Sequence, residues 1–306
     1  MSTTKQKITP SLWFDREAEE AAKLYVSAVS DSKIGTTTRA GKAGFDVHGL
    51  SEGTAMSVEF VVGGFKFVAI NGGPLFKFNP SISFLVACKT KQEVDAIWEK
   101  LSQGGTPLMG LGDYPFSSRY GWIQDRYGLS WQVMFAGDRE IRQKITPTLM
   151  FVGQQWGKAE AAIQTYASVF HNSATGSILR YGEGNEPEKA VTIQHAAFTL
   201  ENQQFAAMDG DREASFPFNE AISFVVQCQT QKEIDYYWQK LTADGGHESM
   251  CGWLKDKFGV SWQIVPTVLS EMLRDSSSEK VARVTNAFLK MKKFDIAELK
   301  KAYSGK

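Results

Sequence analysis

The chain has 306 residues with 34 basic and 34 acidic side chains, so its formal net charge is zero. This length predicts about two domains, and a neutral chain lacks the excess positive charge that favours a nucleic acid partner. The polar N-terminal stretch does not resemble a secretory signal, and no apolar run approaches the roughly 18 residues of a membrane helix. Since none of the three cysteines forms a CxxC pair, we expect reduced thiols in a cytoplasmic protein with no membrane partner.

The first predicted elements are a strand, a helix and a hairpin. Residues Ile8–Phe14 form a short apolar run that contains a proline, which predicts an edge strand. Asp15 is expected to cap a helix that extends to Val29, because apolar residues recur there at helical spacing. Gly63-Gly64 then separates two apolar stretches, and this pattern predicts a tight β-hairpin.

A second strand and a second helix follow along the chain. Residues Ile82–Cys88 are predicted as a strand, and a capping box that begins at Thr90 predicts a helix that ends before two glycines. The segment 106–120 has no clear periodicity and is predicted as a long loop. Such loops often line ligand sites. Residues Ser130–Phe135 are predicted as the last strand of this part.

The same order of elements occurs twice. Residues Phe78–Leu101 and Phe218–Leu241 are identical at 13 of 24 positions, and both KITP and GW-x-x-D-x-x-G-x-SWQ recur in the same order. This pattern predicts a tandem duplication. The predicted units are a first domain over residues 1–137, a second domain over 144–266 and a C-terminal helical tail over 267–306, in which Asp295 and Glu298 form a capping box.

The alternation of strands and helices, together with tight hairpins, predicts the α+β class with mixed or antiparallel strand pairing. Each repeat contains two βαβββ modules. Two such modules can close a curved sheet around a groove, with the helices outside. We therefore expect a small-molecule ligand on the concave face of a sheet.

Three motifs of the chain resemble one known superfamily. They are I-T-P-x-L-x-F in the first strand, A-E-x-A-x-x-x-Y in the first helix and G-W-x-x-D-x-x-G-x-S-W near the end of each repeat. In this order they resemble the PhnB-like branch of the vicinal oxygen chelate superfamily, which includes glyoxalase I, bleomycin-resistance proteins and extradiol dioxygenases. The resemblance covers nearly the whole chain and implies paired βαβββ modules in each of two domains.

Metal-using members of this superfamily place a carboxylate ligand near the end of the last strand, in a pattern resembling D-P-x-G-x-x-x-E. Asp125 and Gly128 match that pattern, but Gln132 stands where the glutamate would be. The remaining ligand positions of these members correspond to Ser11, Ser83, Thr148 and Ser223. In the second repeat, Gln263 is the equivalent of Gln132. Divalent ions prefer carboxylate or histidine ligands. The resemblance therefore implies no classical metal site and no cofactor, with glutamines that hydrogen-bond a ligand or a neighbouring strand.

Several polar residues are candidates for ligand contacts, each with a structural alternative. His195 interrupts a predicted strand and is a natural general base near neutral pH, although a histidine satisfied by a backbone partner explains the pattern equally well. Asn71 and Asp209 end equivalent strands, where they either face a groove or terminate the strand. Glu59 breaks an apolar strand and points into the groove or into solvent.

Aromatic residues supply further candidates, because an indole or phenol ring can line an apolar site. The first repeat has the longer segment before its Gly-Trp pair, so it is the preferred ligand-binding unit. The complete set of ligand-binding candidates is Trp13, Glu59, Asn71, Tyr114, Phe116, Arg119, Trp122, Gln132, His195, Asp209, Trp253 and Gln263.

These features favour a small-molecule-binding protein, resistance-like and without a classical metal site, and leave open whether it is an enzyme. One alternative is a divalent-metal lyase or dioxygenase with ligands such as His195, Glu59 or Asp209. Another is a degenerate scaffold. Relatives in this branch are often labelled methyltransferases, but the sequence has no strand–GxGxxG–helix unit for a nucleoside cofactor. The duplication predicts a monomer with pseudo-dimeric domains or a homodimer.

Overall fold

The computed structural model describes residues 6–41, 49–182 and 191–306. The first repeat contributes β1 (Ile8–Phe14), α1 (Ala18–Ala28), β2 (Lys33–Arg39), β3 (Ala55–Val62), β4 (Phe65–Asn71), β5 (Ile82–Cys88), α2 (Lys91–Ser102), β6 (Thr106–Tyr114), β7 (Ser117–Gln124) and β8 (Ser130–Phe135). The second repeat contributes β9 (Ile145–Phe151), α3 (Ala159–Val169), β10 (Ala174–Arg180), β11 (Ile193–Leu200), β12 (Gln203–Asp209), β13 (Ile222–Cys228), α4 (Gln231–Thr242), β14 (His247–Glu248), β15 (Trp253–Lys255) and β16 (Ser261–Pro266). The tail forms α5 (Thr267–Leu273), α6 (Ser278–Phe288) and α7 (Ile296–Ser304).

The strands form two eight-stranded sheets. Sheet A has the order β14-β15-β16-β13-β1-β4-β3-β2, and sheet B has the order β10-β11-β12-β9-β5-β8-β7-β6. The α+β class, the paired βαβββ modules and the C-terminal helices are thus confirmed. However, each sheet joins one module of the first repeat with one module of the second. The expected groove within a single repeat is therefore replaced by grooves that the two repeats build together.

The first strand of each repeat lies in the centre of a sheet, so the prediction of an edge strand at Ile8–Phe14 is wrong. β1 pairs antiparallel with β13 on one side and parallel with β4 on the other. The proline is tolerated there because the parallel ladder begins only at Ser11, one residue after Pro10. Pro147 occupies the same place in β9, whose parallel ladder begins at Thr148.

The buried residues of both repeats form one hydrophobic core, within which the central aromatic contacts lie inside each repeat. In the first repeat Trp131 of sheet B lies 5.0 Å from the ring of Tyr25 in α1. Phe67 of sheet A meets Phe84 of sheet B edge to face at 5.0 Å. These side chains are almost fully buried, so this part of the core fills the space between the two sheets. Trp262 is the centre of the equivalent part in the second repeat.

The aspartate of the recurring D-x-x-G-x-SW motif stabilises a buried turn. Asp256 accepts hydrogen bonds from the backbone N–H groups of Phe258 and Val260 through Oδ1. Its Oδ2 accepts from Trp262 Nε1 at 2.8 Å and from the Tyr166 hydroxyl at 2.7 Å. Asp125 makes the corresponding turn and indole contacts in the first repeat. The aspartate therefore joins the turn to the core tryptophan, which explains the repetition without a catalytic role.

The C-terminal tail packs against sheet A. Met291 and Lys292 accept backbone hydrogen bonds from Cys251 and Gly252, both at 2.7 Å. Phe294 is buried, and Asp295 caps α7 as the sequence predicts. No helix in the described ranges combines the length and apolar composition needed to span a membrane. The tail thus covers part of sheet A.

Candidate functional site

Each sheet has one face on the core and an opposite face, which we call groove A for sheet A and groove B for sheet B. Groove B encloses a cavity of about 410 Å³. The residues of its lining used below are Leu85, Ala87, Met134, Arg139, Arg142, Thr146, His195, Ala197, Thr199, Gln204 and Ala206. They come from β5 and β8 of the first repeat, from β9, β11 and β12 of the second repeat, and from the connection between the repeats.

Three polar residues of sheet B, Ser83, Gln132 and Tyr120, form an uncharged network next to the lining residues Leu85 and Met134. Gln132 donates from Nε2 to the Ser83 hydroxyl at 2.7 Å, and its Oε1 accepts from the Tyr120 hydroxyl at 2.8 Å. All three side chains are buried. Burial raises the pKa of Tyr120, so the phenol stays neutral. The amide of Gln132 is therefore fixed at both ends.

This network does not fit a divalent metal ion. Strand register places Ser83 directly opposite Thr148, so the positions that carry metal ligands in glyoxalase-like enzymes do meet, but they carry hydroxyls and an amide. Both functional atoms of Gln132 are already bound to protein. Hydroxyl and amide groups are weak ligands beside the carboxylates and imidazoles that such ions prefer. In the described part of the chain, no three His, Cys, Asp or Glu residues are grouped as a metal site.

His195 faces groove B from β11 and remains exposed to it. The surrounding protein lowers the pKa of the imidazole because it disfavours the charged form, and the positive charge of Arg139 lowers it further. The side chain lines the cavity from β11, the second strand from one edge of sheet B, and keeps an exposed surface. His195 therefore presents a neutral imidazole to the cavity near neutral pH.

The aromatic candidates of the first repeat lie beside the same network. Trp122 is half-buried and donates from Nε1 to the Ser130 hydroxyl at 2.7 Å. The segment 106–120, predicted as a loop, is instead mostly the β6–β7 hairpin. At its tip Tyr114 and Phe116 both pack against Tyr120, with ring centres 5.4 and 4.9 Å away. These two rings thus extend the apolar surface from the network to the hairpin.

Groove A collects four other candidates, Trp13, Glu59, Trp253 and Gln263. The rings of Trp13 and Trp253 meet edge to face at 6.0 Å, and Gln263 donates to Ser223 at 2.9 Å. Glu59 forms an ion pair with Arg274 of the tail at 2.7 Å. A largely apolar cavity of about 800 Å³ lies between the tail and the strands β2 and β3. Groove A is therefore partly occupied by the chain itself.

Three candidates, Asn71, Asp209 and Arg119, have structural partners away from the grooves. Asn71 is buried and caps α1, accepting from the N–H of Ala18 at 2.9 Å and donating to Ala55. The predicted cap Asp15 does not perform this role. Asp209 accepts from the N–H groups of Ala159 and Ile193 in the same way. Arg119 points toward α2, where it forms an ion pair with Asp95 at 2.6 Å.

Sequence reasoning missed the apolar lining of groove B and Arg139. Leu85, Met134 and Ala206 lie on strands whose sequences are apolar on both faces, so no alternation marks the groove side. The groove-facing orientation of Leu85 and Met134 could have been inferred from their position next to core residues on predicted strands, since neighbouring side chains of a strand point to opposite faces. Arg139 lies in the connection between the repeats, which carries no periodic signal at all.

Replacing Gln132 with glutamate is expected to lower the free energy of unfolding by about 2 kcal/mol near neutral pH. Glutamate lacks the Nε2 donor to Ser83 and places a charge in a buried, uncharged network. Since burial raises the pKa of a carboxyl group, the loss should shrink at acidic pH, where the protonated side chain again donates. Urea denaturation at about pH 5 and pH 8 measures both values.

The matched variant is Gln263→Glu, because Gln263 is half-buried and its side chain bonds only to Ser223 among the residues that the structure describes. It should lose less stability than Gln132→Glu at the higher pH. Equal losses for Gln132→Glu at both pH values would contradict the assignment of the network as uncharged.

The paired βαβββ modules and the two grooves that they build define the chain as a protein with a glyoxalase-type fold. Glyoxalase I from Zea mays has a similar fold, with a TM-score of 0.51 and 11% identity over 83% of this chain and 89% of that chain. At this identity the likeness concerns the fold alone. No curated protein sequence matches the chain.

A narrower family is defined by sequence. The profile of 3-demethylubiquinone-9 3-methyltransferase matches residues 6–134 and again residues 143–265, and the chain belongs to this family. A putative 3-demethylubiquinone-9 3-methyltransferase, PhnB protein, from Bacillus cereus is 39% identical over 43% of this chain and all of that chain, with a TM-score of 0.40. A glyoxalase/bleomycin resistance protein from Albidiferax ferrireducens is 13% identical over 41% of this chain and 93% of that chain, with a TM-score of 0.29.

Proposed function

We propose that the chain binds a small, largely apolar molecule in groove B, in a sequestering, resistance-like role, without a classical metal site. The observation that carries this proposal is the open cavity of about 410 Å³ on the groove face of sheet B. The uncharged Ser83–Gln132–Tyr120 network lies next to it along the sheet, since Gln132 pairs with Leu85 and Tyr120 with Met134, two residues of the lining. Its volume lies within the roughly 300–1,000 Å³ of small-molecule sites, which combine apolar walls with a few fixed polar groups.

The walls and the polar groups have separate roles in this proposal. Leu85, Ala87 and Met134 offer apolar surface, and its removal from water supplies most of the binding free energy. Thr146, Gln204 and His195 add hydrogen-bonding groups that orient the ligand. Because the Gln132 amide is held by Ser83 and Tyr120, this side of the groove is preorganised and loses little entropy when a ligand binds.

The geometry gives less support to a divalent-metal lyase or dioxygenase. Its suggested ligands lie apart, since His195 faces groove B, Glu59 lies on sheet A and Asp209 is buried on the core face of β12. The scaffold alternative also fits less well. The tail packs against groove A, but none of the described residues of the tail borders the cavity of groove B.

The proposal is tested with the uncharged fluorescent probe N-phenylnaphthylamine and with the metal content of untagged protein. We expect the probe to bind with micromolar affinity, and this affinity to stay unchanged after treatment with a chelator. Elemental mass spectrometry should find no stoichiometric metal in the same sample. About one metal ion per chain, together with loss of binding after chelation, would instead support the metal-dependent alternative. Failure of the probe to bind would overturn the proposed site.

A further inference from the structure

We infer that the ligand of groove B carries an anionic group, such as a carboxylate, that is recognised by the guanidinium of Arg139 beside His195. This inference rests on the proposed function and narrows it to a chemical class of ligand, an amphipathic organic acid with an apolar body. Two observations carry it: the position of Arg139 in the lining of the cavity and the absence, among the described residues, of an acidic partner for its charge.

Arg139 is held at one end of the cavity by backbone carbonyl groups. Its Nε donates to Ala136 at 2.9 Å, and its Nη2 donates to Phe116 at 3.3 Å and to Phe135 at 3.5 Å. The first contact lies within the connection between the repeats. The other two join Arg139 to the β6–β7 hairpin and to the end of β8. The guanidinium is therefore oriented by neutral acceptors, which leave its positive charge uncompensated.

Among the residues that the structure describes, no carboxylate lies within ion-pair distance of Arg139. The contrast with Arg142 is direct, because that residue lines the same cavity and pairs with Glu140 at 2.8 Å. Nη1 of Arg139 has no hydrogen-bond acceptor in the described ranges, so it can donate to a ligand. A guanidinium prefers a planar, bidentate partner, which a carboxylate provides.

The surroundings of Arg139 determine what the rest of the ligand is. His195 lies close enough for Arg139 to disfavour its protonation, and near neutral pH it offers a neutral donor or acceptor. Leu85, Ala87 and Met134 continue the lining with apolar surface. An acid with an apolar body can bury that body against these walls while its anionic end meets Arg139. A dication or a polar sugar gains neither contact.

The experiment compares two dyes with the same aromatic body, anilinonaphthalene sulfonate and uncharged N-phenylnaphthylamine. In Arg139→Gln the sulfonate is expected to bind about tenfold more weakly at low ionic strength, with a smaller difference at high salt. The neutral dye should bind wild type and variant equally. Arg139→Lys should keep most of the affinity for the sulfonate because it keeps the charge.

Arg126→Gln is the matched control, since Arg126 is a cation paired with Glu20 outside the cavity lining, and its loss should change neither affinity appreciably. If Arg139→Gln leaves the sulfonate unaffected while the neutral dye binds, the inference is overturned but the proposed function stands. An equal loss for both dyes would assign Arg139 a structural role and also overturn the inference. If neither dye binds wild type, the proposed function fails together with it.

Discussion

Replacing Ala197 with tryptophan is expected to weaken the binding of N-phenylnaphthylamine by at least about a hundredfold. Ala197 is half-buried on the groove face of β11, between His195 and Thr199 on the same strand face. An indole at this position extends into the cavity of about 410 Å³ and takes the volume that a ligand would use. Because the new side chain enters open space, the free energy of unfolding should change by less than about 1 kcal/mol.

Fluorescence titration measures the affinity, and thermal unfolding of the same samples measures the stability. Ala197→Ser is the control, since it keeps the volume and should bind the probe as wild type does. Unchanged binding in Ala197→Trp would place the probe outside groove B. The cavity of about 800 Å³ beneath the tail is the other candidate, and a tail variant such as Phe288→Ala tests it.

Replacing Asp256 with alanine is expected to lower the free energy of unfolding by about 3–4 kcal/mol. The substitution leaves four buried donors without an acceptor: the indole of Trp262, the hydroxyl of Tyr166 and two backbone N–H groups of the turn. Asp125→Ala should cost less, because Asp125 makes the two turn contacts and the indole contact but lacks the tyrosine hydrogen bond. Urea denaturation of both variants gives the comparison.

The contribution of Asp256 to the free energy of unfolding should also fall as the pH rises. Burial raises its pKa to about 6, above the unfolded value of 3.8. Between these values the native state binds more protons than the unfolded state, so this contribution to stability falls as pH rises through the window. The difference between wild type and Asp256→Ala should therefore narrow from about pH 4 to pH 7. A difference that widens over this range would contradict the raised pKa.

The sequence predicts the elements of this fold well because most of their signals are local. The strand Ile82–Cys88 has the predicted bounds, and Thr90 accepts from the N–H of Glu93 as a capping box requires. The cap of α1 could not be predicted, because its acceptor, Asn71, lies 53 residues away from Ala18. Periodicity describes neighbours along the chain, and it carries no information about such distant partners.

The pairing of modules escaped prediction for a related reason. β1 pairs with β13, but β5 has almost the same sequence as β13, since ISFLVAC and ISFVVQC share their core residues. Duplication makes the two possible partners nearly equivalent in pattern. The candidate site depends on which of these two strands pairs with β1. His195 lies in the same groove as Gln132 only because modules of different repeats share sheet B.

The equivalent position of Ala197 in groove A is Glu59, which binds Arg274 of the tail. One copy of the duplicated groove thus acquired an internal occupant, while the other kept a small side chain and an open surface.

The exchange of modules also determines how the chain loses its structure. The two repeats share one hydrophobic core, and each sheet contains strands of both repeats, so unfolding of one repeat removes half the strands from both sheets. Neither half has a complete folding unit without the other, and the whole chain is expected to unfold as a single cooperative body. A cut in the connection at residues 139–143 would accordingly yield two fragments that stay associated, rather than two independent domains.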